Sequence, residues 1–144
     1  MSTINMTDSN TIPKFNDLMA QIGQEEVSGD ALTFNQYQAL AQKTAVFPGQ
    51  GQVGGAMYLA LGLCGESGEV AEKIKKYFRD GIPKDVDQDD WIEDLVKECG
   101  DVLWYLANLL MTFGVSFSDA GVTNLEKLAS RKVRGKLGGS GDNR

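Results

Sequence analysis

The sequence predicts an all-α protein, an antiparallel bundle of about four to five helices, and three observations carry that prediction. No segment of the 144 residues alternates apolar and polar positions with a sustained period of two, so a sheet has no support. Two long segments, 57–78 and 91–113, repeat apolar residues at helical spacing. Thr33-Phe34-Asn35-Gln36 has the form of a capping box ahead of a third such segment.

Residues 1–30 are polar and poor in aromatics and read as an N-terminal arm, in which Phe15, Leu18, Met19 and Ile22 suit a short helix. A helical domain is expected over 31–134. Its first helix runs from about 34 to 45 on Phe34, Tyr37, Leu40 and Ala41. Phe47-Pro48-Gly49-Gln50-Gly51 stops it, and Gly54 and Gly55 predict irregular chain up to Met57. The second helix, 57–78, sets Leu61, Leu63, Val70, Ile74 and Tyr77 among charged residues. Residues 79–90, with Gly81 and Pro83, read as a loop, and Asp90 is the expected N-cap of the third helix, 91–113. That helix is apolar around most of its circumference, as suits the centre of a bundle. A fourth helix from about 118 to 132 has Val122, Leu125, Leu128 and Ala129 as its expected buried face. Residues 135–144 form a glycine-rich tail.

Composition excludes several functions. Mean hydropathy is −0.25 and no apolar run is long enough to span a bilayer, so no membrane role is expected. Twenty acids against fourteen bases give a net charge of −6, which disfavours a nucleic-acid partner. There is no histidine, which removes His-based zinc sites, Ser-His and Cys-His nucleophiles and Glu-x-x-His di-iron centres. Cys64 and Cys99 stand among apolar residues without a CxxC pair and are expected to be reduced core residues. With no signal-peptide pattern, the expected compartment is the cytoplasm.

Charge is unevenly placed. Residues 1–65 hold five acids and two bases, 66–121 thirteen and six, and 122–144 two and six, so the blocks carry −3, −7 and +4. Inside the acidic block, Glu66 and Glu69 share one helix face, and so do Glu98 and Asp101 on the next helix. The midpoints of the pairs, 67.5 and 99.5, average to 83.5, inside the loop. An antiparallel hairpin therefore brings both pairs to the same depth, within about one turn of ~5.4 Å. An isolated ExxE is usually a solvated helix surface. Here Glu98, Asp101, Tyr105, Asn108 and Thr112 continue as a polar stripe through an apolar helix, which calls for a buried purpose. Four crowded carboxylates raise one another's pKa unless cations compensate them. All-oxygen ligation points to Mg²⁺, with Mn²⁺ able to substitute. Mg²⁺ commonly serves phosphoryl chemistry, and Asn124, Lys127 and Arg131 offer a polar, basic face for phosphates on the last helix.

These residues resemble the MazG-like branch of the all-α nucleoside triphosphate pyrophosphohydrolases, most closely its small single-domain phage and bacterial members. The resemblance runs from about Phe34 to Arg144. It rests on Leu61-Gly62-Leu63-Cys64-Gly65-Glu66-Ser67-Gly68-Glu69-Val70, on Glu98-Cys99-Gly100-Asp101-Val102-Leu103-Trp104-Tyr105-Leu106, on Asn124-Leu125-Glu126-Lys127-Leu128 with Arg131, and on the closing Gly139-Ser140-Gly141-Asp142-Asn143-Arg144. It implies that Glu66, Glu69, Glu98 and Asp101 bind Mg²⁺ and include the catalytic groups, and that Asn124, Lys127 and Arg131 contact phosphates. Cleavage would fall between the α and β phosphates, releasing a nucleoside monophosphate and pyrophosphate. A homodimer or homotetramer is implied as well. Tyr105 is a candidate for the base or sugar; Tyr37, Gln38 and Trp104 are weaker ones. Lys73, Lys75, Lys76 and Arg79 depart from the family pattern, and Lys73, four after Glu69, is expected to pair with it. Hydrolysis of another pyrophosphate, such as an alarmone or phosphoribosyl-ATP, and a noncatalytic helical binding module are the alternatives.

Overall fold

The computed structural model describes residues 32–138 and, within the arm, Asp17. The arm's amphipathic stretch (Phe15, Leu18, Met19, Ile22) and the tail beyond 138 lie outside the described residues. Among the described residues there are four helices and no strand: α1 (Phe34–Lys43), α2 (Val53–Asp80), α3 (Gln88–Thr112) and α4 (Phe117–Val133). The protein is all-α, as its sequence predicts.

The capping box at Thr33 forms as expected. The Gln36 backbone N–H donates to the Thr33 hydroxyl, and the Thr33 N–H donates to Gln36 Oε1 at 2.9 Å. Helix α2 begins four residues before its expected start, taking in Gly54 and Gly55. The reason is a close approach: a Cβ on Gly55 would lie 2.4 Å from the Gly49 carbonyl oxygen, so this glycine admits the preceding loop rather than breaking the helix. The C-cap of α2 is Gly81 at φ +76°, a left-handed backbone that costs an L side chain strain. Asp87, not Asp90, caps α3, its carboxylate accepting from the Asp89 N–H at 2.8 Å. Asp89 and Asp90 fall in the first turn, where their charge favours the positive end of the helix dipole.

Helices α2 and α3, about 42 and 37 Å long at 1.5 Å per residue, form the antiparallel hairpin that the carboxylate pairs require. Helix α1 packs against α3, and α4 packs mainly against α1. The core where α1, α3 and α4 meet is Ala41, Ala107 and Phe117, flanked by Tyr37, Trp104, Leu106 and Leu110. Phe34 stacks on Phe117 at 5.2 Å between ring centres. Buried Gln38 fastens the junction: its amide donates to the Ala107 and Val115 carbonyls at 3.1 and 3.0 Å, and its oxygen accepts from the Phe117 N–H at 2.8 Å. Asn35 Oδ1 accepts from the Ser118 N–H and Ser116 Oγ from the Asp119 N–H. Side chains of α1 thus satisfy N–H groups at the start of α4 that lack intrahelical partners. Trp104 donates to the Thr44 hydroxyl at 2.8 Å, closing α1 onto α3.

Two expectations about burial are corrected. Cys64 and Cys99 are free but exposed, because each faces away from the α2–α3 contact. The face of α4 expected to be buried, Val122, Leu125, Leu128 and Ala129, is exposed, with Leu125 at 66%. Phe117 docks α4, at its first turn, and the stripe beyond turns outward. Leu61, Met57 and Val53 on α2 are also more than half exposed. Helix α3 is central as expected, although Val96 and Leu103 remain partly open to solvent.

Candidate active site

The site grows from the register of the hairpin. On α2, Tyr58, Gly62, Glu66 and Glu69 follow one another at spacings of four, four and three; on α3, Glu98, Asp101 and Tyr105 do so at three and four. Both runs are helix stripes. Close contact between them depends on Gly62, where a Cβ would fall 2.1 Å from Tyr105 Cε1. Tyr105 fills that space, its ring 6.3 Å from Tyr58 and 5.0 Å from Trp104.

Among the described residues, the group that could hold a metal ion is Glu66, Glu98 and Asp101, whose ligand oxygens all lie within 4.8 Å of one another. Glu69 stays outside this group on the exposed next turn of α2, although its charge reaches Glu66. Removal from solvent, then the carboxylates of Asp101, Glu69 and Glu98, raise the Glu66 pKa above the usual glutamate value. Hydrogen bonding with Tyr58, then burial and the charges of Glu66 and Asp101, raise that of Tyr105. Tyr37, half-buried on α1, donates to the Gly100 carbonyl at 3.4 Å; burial and then the Asp101 charge push its pKa up. A cluster of carboxylate oxygens with no imidazole or thiolate ligand among them suits a hard divalent cation.

Lys73 does not take the partner its spacing suggested. Its ammonium lies 3.6 Å from Glu98 Oε1 and 3.8 Å from Asp94 Oδ2, across the hairpin, because the face of α2 that bears it turns toward α3. Asn124 and Lys127 are exposed on α4 and Arg131 is buried there at 5% exposure. Since α4 packs mainly against α1, the structure sets these three on a different helix pair from the carboxylates.

The polar stripe of α3 divides in two. Glu98, Asp101 and Tyr105 face the hairpin. Asn108 and Thr112 bond back to the carbonyls of Trp104 and Asn108, at 3.0 and 2.9 Å. They also line a cleft of about 620 Å³ at the open end of the hairpin, together with Gln42, Phe47, Gln52 and Phe113. Gln38 is a structural hub rather than a pocket residue. Tyr58, absent from the sequence reading, had a signal: it precedes Gly62 by four and Glu66 by eight, on the face the carboxylates share.

Comparison with known proteins decides the family. Residues 56–134, more than half of the chain and inclusive of all four carboxylates, match the MazG nucleotide pyrophosphohydrolase domain. The chain belongs to the MazG family. The Gene 37 protein of Mycobacterium phage L5 is 45% identical over 113 residues, covering 75% of this chain and 96% of its own length. No solved structure matches significantly. The MazG match begins inside α2 and ends just past α4, so α1, which carries Gln38 and Tyr37, lies before it. No helix among the described residues is long and apolar enough to cross a membrane.

Proposed function

We propose that this MazG domain is a Mg²⁺-dependent nucleotide pyrophosphohydrolase, with Mn²⁺ able to substitute, that converts (d)NTPs to (d)NMPs and pyrophosphate in control of the cytoplasmic nucleotide pool. The observation that carries this reading is the convergence of Glu66, Glu98 and Asp101 oxygens within 4.8 Å. Glu66, Glu98 and Asp101 would hold the ion, with Glu69 one turn away as a fourth ligand. When bound, Mg²⁺ would supply charge neutralisation at the phosphates and activation of water.

The chain's own residues do the rest. The carboxylates orient the cation, and one of the four accepts the proton of the attacking water. The open-end cleft sets the Phe47 ring and the Gln42 and Gln52 amides where a nucleobase can stack and hydrogen-bond. Asp101 and Asn108 are about 10 Å apart along the α3 axis, a separation that a nucleotide bridges. Tyr105, between them, borders the sugar. Asn124, Lys127 and Arg131, set on α4 apart from this chain's own carboxylates, would reach phosphates held by a neighbouring subunit, and the exposed apolar residues of α2 and α4 support a homodimer or homotetramer in which these faces are covered.

The test is a panel of ribo- and deoxynucleoside triphosphates incubated with Mg²⁺, with products separated by anion exchange. Monophosphate and pyrophosphate in equal amounts are expected. Release of orthophosphate alone, or stabilisation by Mg²⁺ without turnover of any nucleotide, would sink the proposal.

A further inference from the structure

Four basic residues of α2, Lys73, Lys75, Lys76 and Arg79, lead to a second cleft. Lys73, Lys76, Tyr77 and Asp80 lie at spacings of three, one and three, which is one stripe of α2. With Gly81, Pro83 and Trp91 they line a cleft of about 430 Å³ at the closed end of the hairpin, opposite the open-end cleft. Its volume falls in the range of small-molecule sites, about 300–1,000 Å³. Tyr77 and Trp91 form an aromatic wall with ring centres 4.9 Å apart, and Tyr77 is about half exposed. Two ammonium groups stand beside that wall, and the one acid in the lining, Asp80, is held by Arg79 at 2.8 Å.

We propose that this cleft is a second binding site, taking a ring-bearing phosphate of nucleoside monophosphate type: the ring stacks on Trp91 and Tyr77, and the phosphate sits between Lys73 and Lys76. Lys76 can turn to an anion without stranding an acid, and Lys73 can do so at the expense of Glu98 alone. Lys76 shares Glu72 with Lys75, and Lys73 shares Asp94 with Lys97. The remaining partner of Lys73 is Glu98, at 3.6 Å. An anion in the cleft therefore draws Lys73 away from the carboxylate group and leaves Glu98 freer for a cation. Coupling of this kind is reciprocal, so a cation at the carboxylates strengthens anion binding in the cleft. The nucleotide class of the ligand rests on the proposed function.

The chain has two tryptophans, so ¹⁵N-labelled protein shows two indole N–H signals, assigned with Trp91→Phe. Full-length protein free of divalent cations is titrated with a nucleoside monophosphate, then with the uncharged nucleoside and with inorganic phosphate. The Trp91 signal should shift saturably with the monophosphate, and each fragment should bind at least about tenfold more weakly. Lys76→Gln should weaken binding about fivefold, with the far-UV spectrum and nucleotide turnover unchanged. A Trp91 signal that does not move, phosphate alone binding as well as the monophosphate, or Lys76→Gln binding as wild type would each overturn the proposal. Adding Mg²⁺ should tighten the Trp91 titration in wild type and leave it unchanged in Lys73→Gln; equal tightening in both would overturn the coupling. Turnover is scored separately. Hydrolysis without a Trp91 shift defeats the cleft and leaves the proposed function standing, whereas a Trp91 shift without hydrolysis supports the cleft and defeats that function.

Discussion

Gln38→Met tests how the helix that precedes the MazG match is held to it. Methionine matches glutamine in length and keeps the apolar stem packed, so the change removes the amide and little else. Gln38 makes three hydrogen bonds of 2.8 to 3.1 Å. The Ala107 carbonyl lies inside α3 and keeps its place in the helix ladder. The Val115 carbonyl is only partly buried and recovers water. The Phe117 N–H is buried at the first turn of α4 and has no other route to a partner. A buried unsatisfied donor costs about 1–3 kcal/mol, and a partly exposed carbonyl adds less, so the loss should be about 2–4 kcal/mol. At about 4 °C per kcal/mol for a domain of this size, the melting temperature should fall by about 8–16 °C. Urea unfolding followed by far-UV circular dichroism, at a fixed protein concentration because the chain is expected to associate, gives the number directly. A variant within about 1 kcal/mol of wild type, at an unchanged denaturant slope, would show that α4 is not docked through this amide.

Other predictions concern the site. Glu98→Gln should leave the fold intact and lower turnover by more than about 100-fold, since even outer-shell changes at metal sites cost about 10–100-fold; retained activity would remove Glu98 from the ligand set. Gly62→Ala sets overpacking of about 1–3 kcal/mol against about 1 kcal/mol of helix propensity gained. The expected result is a melting temperature equal to or below wild type together with slower turnover, because Tyr105 must move. Glu66 has a raised pKa, so the folded state binds its proton more tightly than the unfolded chain does. The metal-free protein should therefore lose stability as pH rises from the ordinary glutamate range through the raised value, and Mn²⁺ affinity should grow over the same window. Melting curves and calorimetric Mn²⁺ titrations at a series of pH values check both signs, with Glu66→Gln flattening each.

The hairpin was legible because its two carboxylate pairs are symmetric about the Gly81–Pro83 loop, and an antiparallel pair of long helices has one way to align them. The capping box at Thr33 was legible because its two hydrogen bonds are local. Partners across helices were not. The spacing between Lys73 and Glu69 suits an i,i+4 pair, and only the rotation of α2 against α3 shows that the ammonium reaches Glu98 and Asp94 instead. The N-cap of α3 lay in a run containing Asp85, Asp87, Asp89 and Asp90, each suited by type, and backbone geometry selects Asp87. Periodicity identified Val122, Leu125 and Leu128 as one face of α4, but a period says nothing of what covers the face. Gln38 looked like one polar residue among several, since its three partners come from residues some 70 to 80 positions away.

The central claim, that the hairpin carboxylates serve attack of water across the bond between the α and β phosphates of a nucleotide, is tested most directly by turnover in ¹⁸O-labelled water with mass analysis of all products. One labelled oxygen per turnover is expected, carried by the nucleoside monophosphate or the pyrophosphate and lost in Glu98→Gln together with turnover. Released orthophosphate as the labelled product, or undiminished labelling in Glu98→Gln, would contradict it.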